Sequence, residues 1–212
     1  SKKADFDGDS KEANYFASKF MSPTRTLGLK SPTGRMTVTS HYIYDEVVPL
    51  NITKEFPDGR TIAELRGNGN TVVAPSVAES KLFSKQRCER VWTNERGFEK
   101  NPDLEKQFHK VCVASVLKTV IESDNMPFVK LTACLKRYCQ DWSEDEIYDF
   151  IEIVCDSIKH KNGGNLFSWK VVKAKVKTVL KNWDNEKTNQ SGYESFAEGN
   201  MAKLGALYHP EC

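Results

Sequence analysis

The chain lacks any apolar run close to the roughly 20 residues that cross a bilayer. Its opening also lacks the basic stretch, apolar core and small-residue cleavage site of a signal peptide. Neither a membrane partner nor secretion is expected, so the chain reads as cytoplasmic, or as residing in a host cytoplasm if a phage encodes it. Charge of one sign is scarce too. The 31 basic and 29 acidic residues leave +2, too weak a field to draw an anionic partner to the whole surface. An anionic ligand must therefore meet a local patch. Six cysteines are present, Cys88, Cys112, Cys134, Cys139, Cys155 and Cys212, but no C-x-x-C pair. They are expected to be reduced thiols, four of them within helical stretches. His209 and Cys212 in "HPEC" supply two metal ligands where a structural zinc site needs four.

What is present changes period part-way along. In "SKEANYFASKF", Ala13, Phe16, Ala17 and Phe20 stand at helical spacing behind Ser10 as N-cap. "RMTVTSHYIYDEVV" alternates with period two and is rich in β-branched and aromatic residues, as a strand should be. "RTIAELRG" and "NTVVAPS" read as two further strands joined by a turn at "GNGN". The stretch from Glu79 to Asn101 is polar and reads as a linker or edge segment. Beyond it the pattern is helical. "WSEDEIYDFIEIV" opens with Ser143 and Glu146 in capping-box spacing, and "NLFSWKVVKAKVKTVLKNW" turns valines inward and lysines outward. The expectation is a β-rich lobe over 1–95 and a helical bundle over 96–212.

Chemistry gathers in the first half. In "ADFDGDS", Asp5 and Asp7 fall on one face of an extended strand while Phe6 turns the other way. Adjacent carboxylates repel, and a divalent cation relieves them. Mg²⁺ typically takes one or two carboxylates together with substrate phosphates. The bland alternative is a solvated acidic turn. A calcium loop is excluded, because counting from Asp5 puts Ser10 and Phe16 where glycine and glutamate are required. A haloacid-dehalogenase-type phosphatase would read D-x-D-G-T. Here Asp9 follows Gly8, and no later paired-aspartate motif appears. Ser40 and His41 lie in the second strand, His41 on the face of Thr39 and Ile43. A lone strand histidine is more often structural than functional, but the neighbouring Ser40 and the acidic pair upstream reverse that preference. Glu64 and Arg66 repeat the i, i+2 spacing on a third strand. In isolation they would be a surface ion pair contributing under about 1 kcal/mol.

Together these residues resemble the archaeo-eukaryotic primase superfamily, especially the primase-polymerase domains of phage and plasmid replication proteins. The family's acidic pair, its small residue followed by histidine, and its third acidic residue match Asp5 and Asp7, Ser40 and His41, and Glu64. The gaps are 34 residues from Asp7 to His41 and 23 from His41 to Glu64. "AELRGNGNTVVAPSV" is similar to the family's D-I-R-G-x-G-G-Y-V-V-A-P-P-S run, with Glu for Asp and one proline for two. The α/β unit that precedes the family's first motif has no counterpart, so the lobe reads as N-terminally truncated. "WSEDEIYDFIEIV" and "EGNMAKLGAL" are similar to the helix-bundle domain that follows such lobes.

The resemblance implies an α+β fold, with a partial RRM-like catalytic lobe before an all-α bundle. It also implies template-directed nucleotidyl transfer from nucleoside triphosphates on single-stranded DNA, with a helicase domain or protein as a further partner. Asp5, Asp7 and Glu64 would hold two Mg²⁺ or Mn²⁺ ions, with His41 completing the catalytic set. Ser40 and His41 would meet the triphosphate, and Arg66 a phosphate or the template. Template contacts are expected at Lys159, Lys161, Trp169, Lys170, Lys173 and Lys177, since lysines neutralise phosphates and aromatics stack on bases. A solvated lysine face over core tryptophans is the competing account. The rival functions are a non-catalytic single-stranded-DNA-binding or interaction fragment of a replication protein, and a DxD phosphatase.

Overall fold

A computed structural model describes residues 2–45, 51–67, 73–80, 83–124, 128–158 and 169–182. The chain divides into two compact units, 1–112 and 113–212. It is an α+β protein, with five helices among the described residues, none of them long and apolar enough to cross a membrane.

The first unit is built on β1 (Lys2–Gly8), β2 (Arg25–Lys30), β3 (Met36–Asp45), β4 (Ile52–Glu55), β5 (Thr61–Arg66), β6 (Ser76–Ser80) and β7 (Gln86–Trp92). They hydrogen-bond in the order β4-β5-β1-β3-β2-β7-β6, every neighbour antiparallel. A two-residue strand, β8 (Glu99–Lys100), adds to β3 in parallel. Thus β1 lies inside the sheet, between β5 and β3. Alternation along β1 turns Phe6 to the core face, where it is fully buried. Its ring meets His41 edge-on at 5.7 Å and Phe108 at 6.1 Å.

After β1 the chain turns at once into α1 (Lys11–Phe20). Ser10 caps it, its Oγ accepting from the Ala13 amide at 3.0 Å as its spacing predicts, and Ala13, Phe16 and Ala17 are buried. The Asn14 amide donates to the carbonyls of Gly8 (2.9 Å) and Ser10 (3.0 Å). A Cβ at position 8 would collide with that side chain, which would have to give up these bonds to admit it. The helix α2 (Leu104–Asp124) begins in the same unit. Gln107 ties it down, accepting from the Ser22 amide at 2.9 Å and from Asn101 Nδ2 at 2.8 Å.

In the second unit α3 (Phe128–Tyr138), α4 (Glu144–Ser157) and α5 (Trp169–Lys181) pack against one another. The capping box is formed. Glu146 N donates to Ser143 Oγ at 3.2 Å, and Ser143 N donates to the Glu146 carboxylate at 2.9 Å. Ile147, Phe150, Ile151 and Val154 of α4 are buried, as are Val172, Val176, Val179 and Leu180 of α5.

The polar stretch 79–101, expected as a linker or edge segment, holds β7, next to the edge strand β6, and the two-residue β8. Cys88 of β7 is buried between exposed Arg87 and Glu89, as charged outer faces allow near a sheet edge. The hairpin expected between "RTIAELRG" and "NTVVAPS" falls largely outside the described residues, while β5 pairs with β1 and β4 on its two sides. The next described strand, β6, pairs with β7 at the far edge. Residues 68–72, which include most of "GNGN", lie outside the described residues. Cys88, Cys112, Cys139 and Cys155 are free and buried. Burial, with Asp156 and Glu152 adding, pushes the Cys155 thiol up to about 11, so it is an inert core group at neutral pH. The Cys134 side chain and Cys212 fall outside the described residues, as does His209.

Candidate active site

Residues directly opposite one another on antiparallel strands share a face, so the register assigns each candidate. Asp5 pairs with Arg66 and Asp7 with Glu64 across β1 and β5. On the other side of β1, Asp7 pairs with Ser40. Asp5, Asp7, Ser40, Glu64 and Arg66 therefore stand on one face of the sheet, contributed by three adjacent strands.

Arg66 is the hub. Its Nη2 lies 2.9 Å from Asp5 Oδ2 and 2.5 Å from Asp7 Oδ2, its Nε donates to Asp5 Oδ2 at 3.1 Å, and Nη1 is 3.9 Å from Glu64 Oε2. Ser40 Oγ donates to the other Asp7 oxygen at 3.1 Å. Burial opposes the guanidinium's charge, but Asp7, Asp5 and Glu64 outweigh it and raise its pKa. The Asp5 side chain is only 7% exposed against 24% for Asp7 and 34% for Glu64, so the group grades from core to solvent. Three carboxylates and one guanidinium leave a formal −2 on this patch. In donor chemistry it suits a hard divalent cation, which takes oxygen ligands. Among the described residues no three His, Cys, Asp or Glu side chains converge closely enough to hold a metal ion. Here the carboxylates gather around Arg66 instead.

His41 is not brought to this group. It pairs with Phe6, on the opposite face, where it is 7% exposed. Burial lowers its pKa to about 4, so the imidazole is neutral at pH 7. The triphosphate and catalytic roles of His41 rest on the resemblance alone, since the register does not bring it to Asp5, Asp7 and Glu64. Ser40 and His41 are consecutive in a strand, and alternation lets only one of them share a face with Asp7.

Sequence reading missed Arg25. Successive pairing gives one row across the sheet, Arg66, Asp5, Tyr42 and Arg25. The Arg25 guanidinium stands 4.6 Å from the Trp92 ring centroid and 5.7 Å from that of Phe98. Its buried Nε has no hydrogen-bond partner among the described residues. No local signal pointed to Arg25, since "RTLGLK" is a short run whose pairing depends on residues distant in sequence.

In the second unit, Trp169 packs edge-on against Tyr148 at 4.8 Å and is half-buried. Lys177 Nζ lies 5.3 Å from the same Tyr148 ring, and Lys173 is exposed. Trp169 is thus a packing residue of the α4–α5 contact. Lys159, Lys161 and the Lys170 side chain lie outside the described residues. No family model, no curated protein and no solved structure matches the chain.

Proposed function

We propose that the first unit is the catalytic lobe of a primase-polymerase, built on an RRM-like core and followed by a helix-bundle domain, and that it joins nucleotides on a single-stranded DNA template. The observation that carries this reading is the placement of Asp5, Asp7 and Glu64, from two strands paired in register, on one partly buried face with Ser40 and Arg66.

Asp5, Asp7 and Glu64 would hold two Mg²⁺ or Mn²⁺ ions. When bound, these neutralise the triphosphate and lower the pKa of the attacking 3′-hydroxyl. The chain's own groups do the positioning. Asp5, fixed by burial, anchors the deep end of the site, while Asp7 and Glu64 face the solvent from which nucleotide arrives. Ser40 orients Asp7 by donating to Oδ1, so that Oδ2, paired here with Arg66, would meet a metal ion once that guanidinium moves. Arg66 neutralises the carboxylates before substrate arrives, and its guanidinium fork suits a phosphate once they are otherwise engaged. Arg25, in the same cross-strand row as Asp5, is the cation we assign to the far end of the triphosphate.

Primer extension on single-stranded DNA with Mg²⁺ or Mn²⁺ tests the reading. Glu64→Gln and Asp7→Asn are expected to lower incorporation by at least about a hundredfold, the order of one lost electrostatic contribution to a transition state. Incorporation at the wild-type rate by folded Glu64→Gln protein would sink the assignment. A second reading rests on Arg66 filling the space between the carboxylates. A closed ion cluster of that kind suits a non-catalytic nucleic-acid-binding module, which would bind DNA without incorporating nucleotides.

A further inference from the structure

We infer that the groove between α1 and the start of β3 is a binding site for single-stranded nucleic acid, distinct from the carboxylate face. The cavity is about 370 Å³, within the range of ligand sites. Lys11 and Tyr15 line it from α1, Arg35 and Met36 from the entry to β3, and Phe83 from the approach to β7. None of its lining residues is acidic. Tyr15 is 38% and Met36 53% exposed, so these large apolar groups are spent on the surface rather than on the core.

Charge and ring alternate around the groove. Lys11, Tyr15 and Lys19 fall at i, i+4 and i+8 on α1, a stripe separate from buried Ala13, Phe16 and Ala17. Lys19 Nζ is 5.8 Å from the Tyr15 centroid, and the Arg35 guanidinium is 6.0 Å from that of Phe83. Each aromatic face therefore has a cation beside it, pairing a stacking surface with a phosphate neutraliser, as single-strand binding requires. The stripe from Lys11 to Lys19 runs about 12 Å along the helix axis. Two separated aromatic–cation pairs fit a polymer rather than one free nucleotide. This site would hold a strand of the substrate acted on at the carboxylate face. The inference rests on the primase-polymerase reading for its choice of nucleic acid over an acidic peptide.

The test is binding of a fluorescein-labelled oligothymidylate of about 15 nucleotides to the full chain, in EDTA and at several salt concentrations. Lys11→Glu/Arg35→Glu is expected to weaken binding at least tenfold and to reduce the log–log salt slope by about 1.4, or 0.7 for each single-strand phosphate contact. Tyr15→Ala is expected to weaken it roughly fivefold to a hundredfold. Reversing two exposed cations at the other end of β3, Arg96→Glu/Lys100→Glu, should leave affinity unchanged. Unchanged affinity and slope in the groove pair, or an equal loss in the control pair, overturns the proposal. So does competition by free thymidine triphosphate or an acidic peptide at the oligonucleotide's own potency. If the groove pair fails to fold, acetylation of the wild-type chain decides, since the oligonucleotide must protect Lys11 and Lys19. EDTA removes the divalent ions, so the two readings fail separately. Groove-dependent binding without incorporation overturns nucleotidyl transfer alone, and incorporation with groove-independent binding overturns the groove alone.

Discussion

Replacing Arg66 with glutamine keeps a polar side chain of similar reach but removes the charge that three carboxylates share. Unit charges 2.9 Å apart interact by roughly 6 kcal/mol at an effective dielectric of about 20. Most of that is offset by the desolvation of both groups. Measured losses on breaking a buried pair are about 3–5 kcal/mol, because the surviving charge is stranded. Asp5 is stranded in this sense, whereas Asp7 and Glu64 reach water, and Arg66 itself is 29% exposed. A loss of about 2–4 kcal/mol is expected at pH 7 in metal-free buffer. Because the chain has two compact units, one global midpoint would blur the effect. Hydrogen exchange of the β1 and β5 amides reads it locally. The deficit should shrink in acid, since a buried carboxylate without its cation is relieved by taking a proton. Millimolar Mn²⁺ should protect Arg66→Gln more than wild type, in which the guanidinium must first be displaced. Unchanged exchange in the variant, or a deficit that neither acid nor Mn²⁺ reduces, refutes Arg66 as the carboxylates' counter-ion.

The other predictions concern the opposite face and the exit from β1. Because burial lowers the His41 pKa to about 4, the unfolded chain binds more protons between that value and about 6.5. Stability due to neutral His41 is complete above that window and is lost as pH falls through it, by about 3 kcal/mol in all. His41→Leu should flatten this part of the pH profile of β3 amide exchange and should retain nucleotide incorporation within a few-fold. Loss of incorporation in folded His41→Leu would favour the resemblance over the register. Gly8→Ala should cost about 1–3 kcal/mol by evicting the Asn14 amide from its two carbonyls. Asn14→Ala should then add less in that background than alone, and strict additivity in thermal unfolding would refute the clash.

How far the sequence could be read depended on whether the relevant physics was local. Ser10, Ser143 and Glu146 cap their own helices within three residues, so both N-termini were legible from spacing alone. The period of two in "TVTSHYIYD" likewise marked β3. The strands β2, β4 and β7 were not legible. "RTLGLK", "ITKE" and "QRCERVW" owe their conformation to neighbours distant in sequence, and their own patterns are short or polar. The same limit applies to the hairpin expected after β5. Glycines and strand-like flanks favour a turn, but whether the edge of β5 is free depends on β4 and β1, which the flanks do not reveal.

Ser40 and His41 separate what a motif can say from what a register can. The resemblance groups them because they are adjacent, yet adjacency in a strand is what divides them between faces. Pairing Phe6 with His41 and Asp7 with Ser40 makes the division concrete. The core receives two aromatic rings in edge contact, while the open face receives a hydroxyl donating to a carboxylate. A charged imidazole on the core face would be costly, and its lowered pKa expresses that cost. A serine on the core face would leave a hydroxyl without the carboxylate it now serves. Sliding β3 by one residue would incur both penalties at once, so the core selects the register that assigns Ser40, and not His41, to the carboxylates.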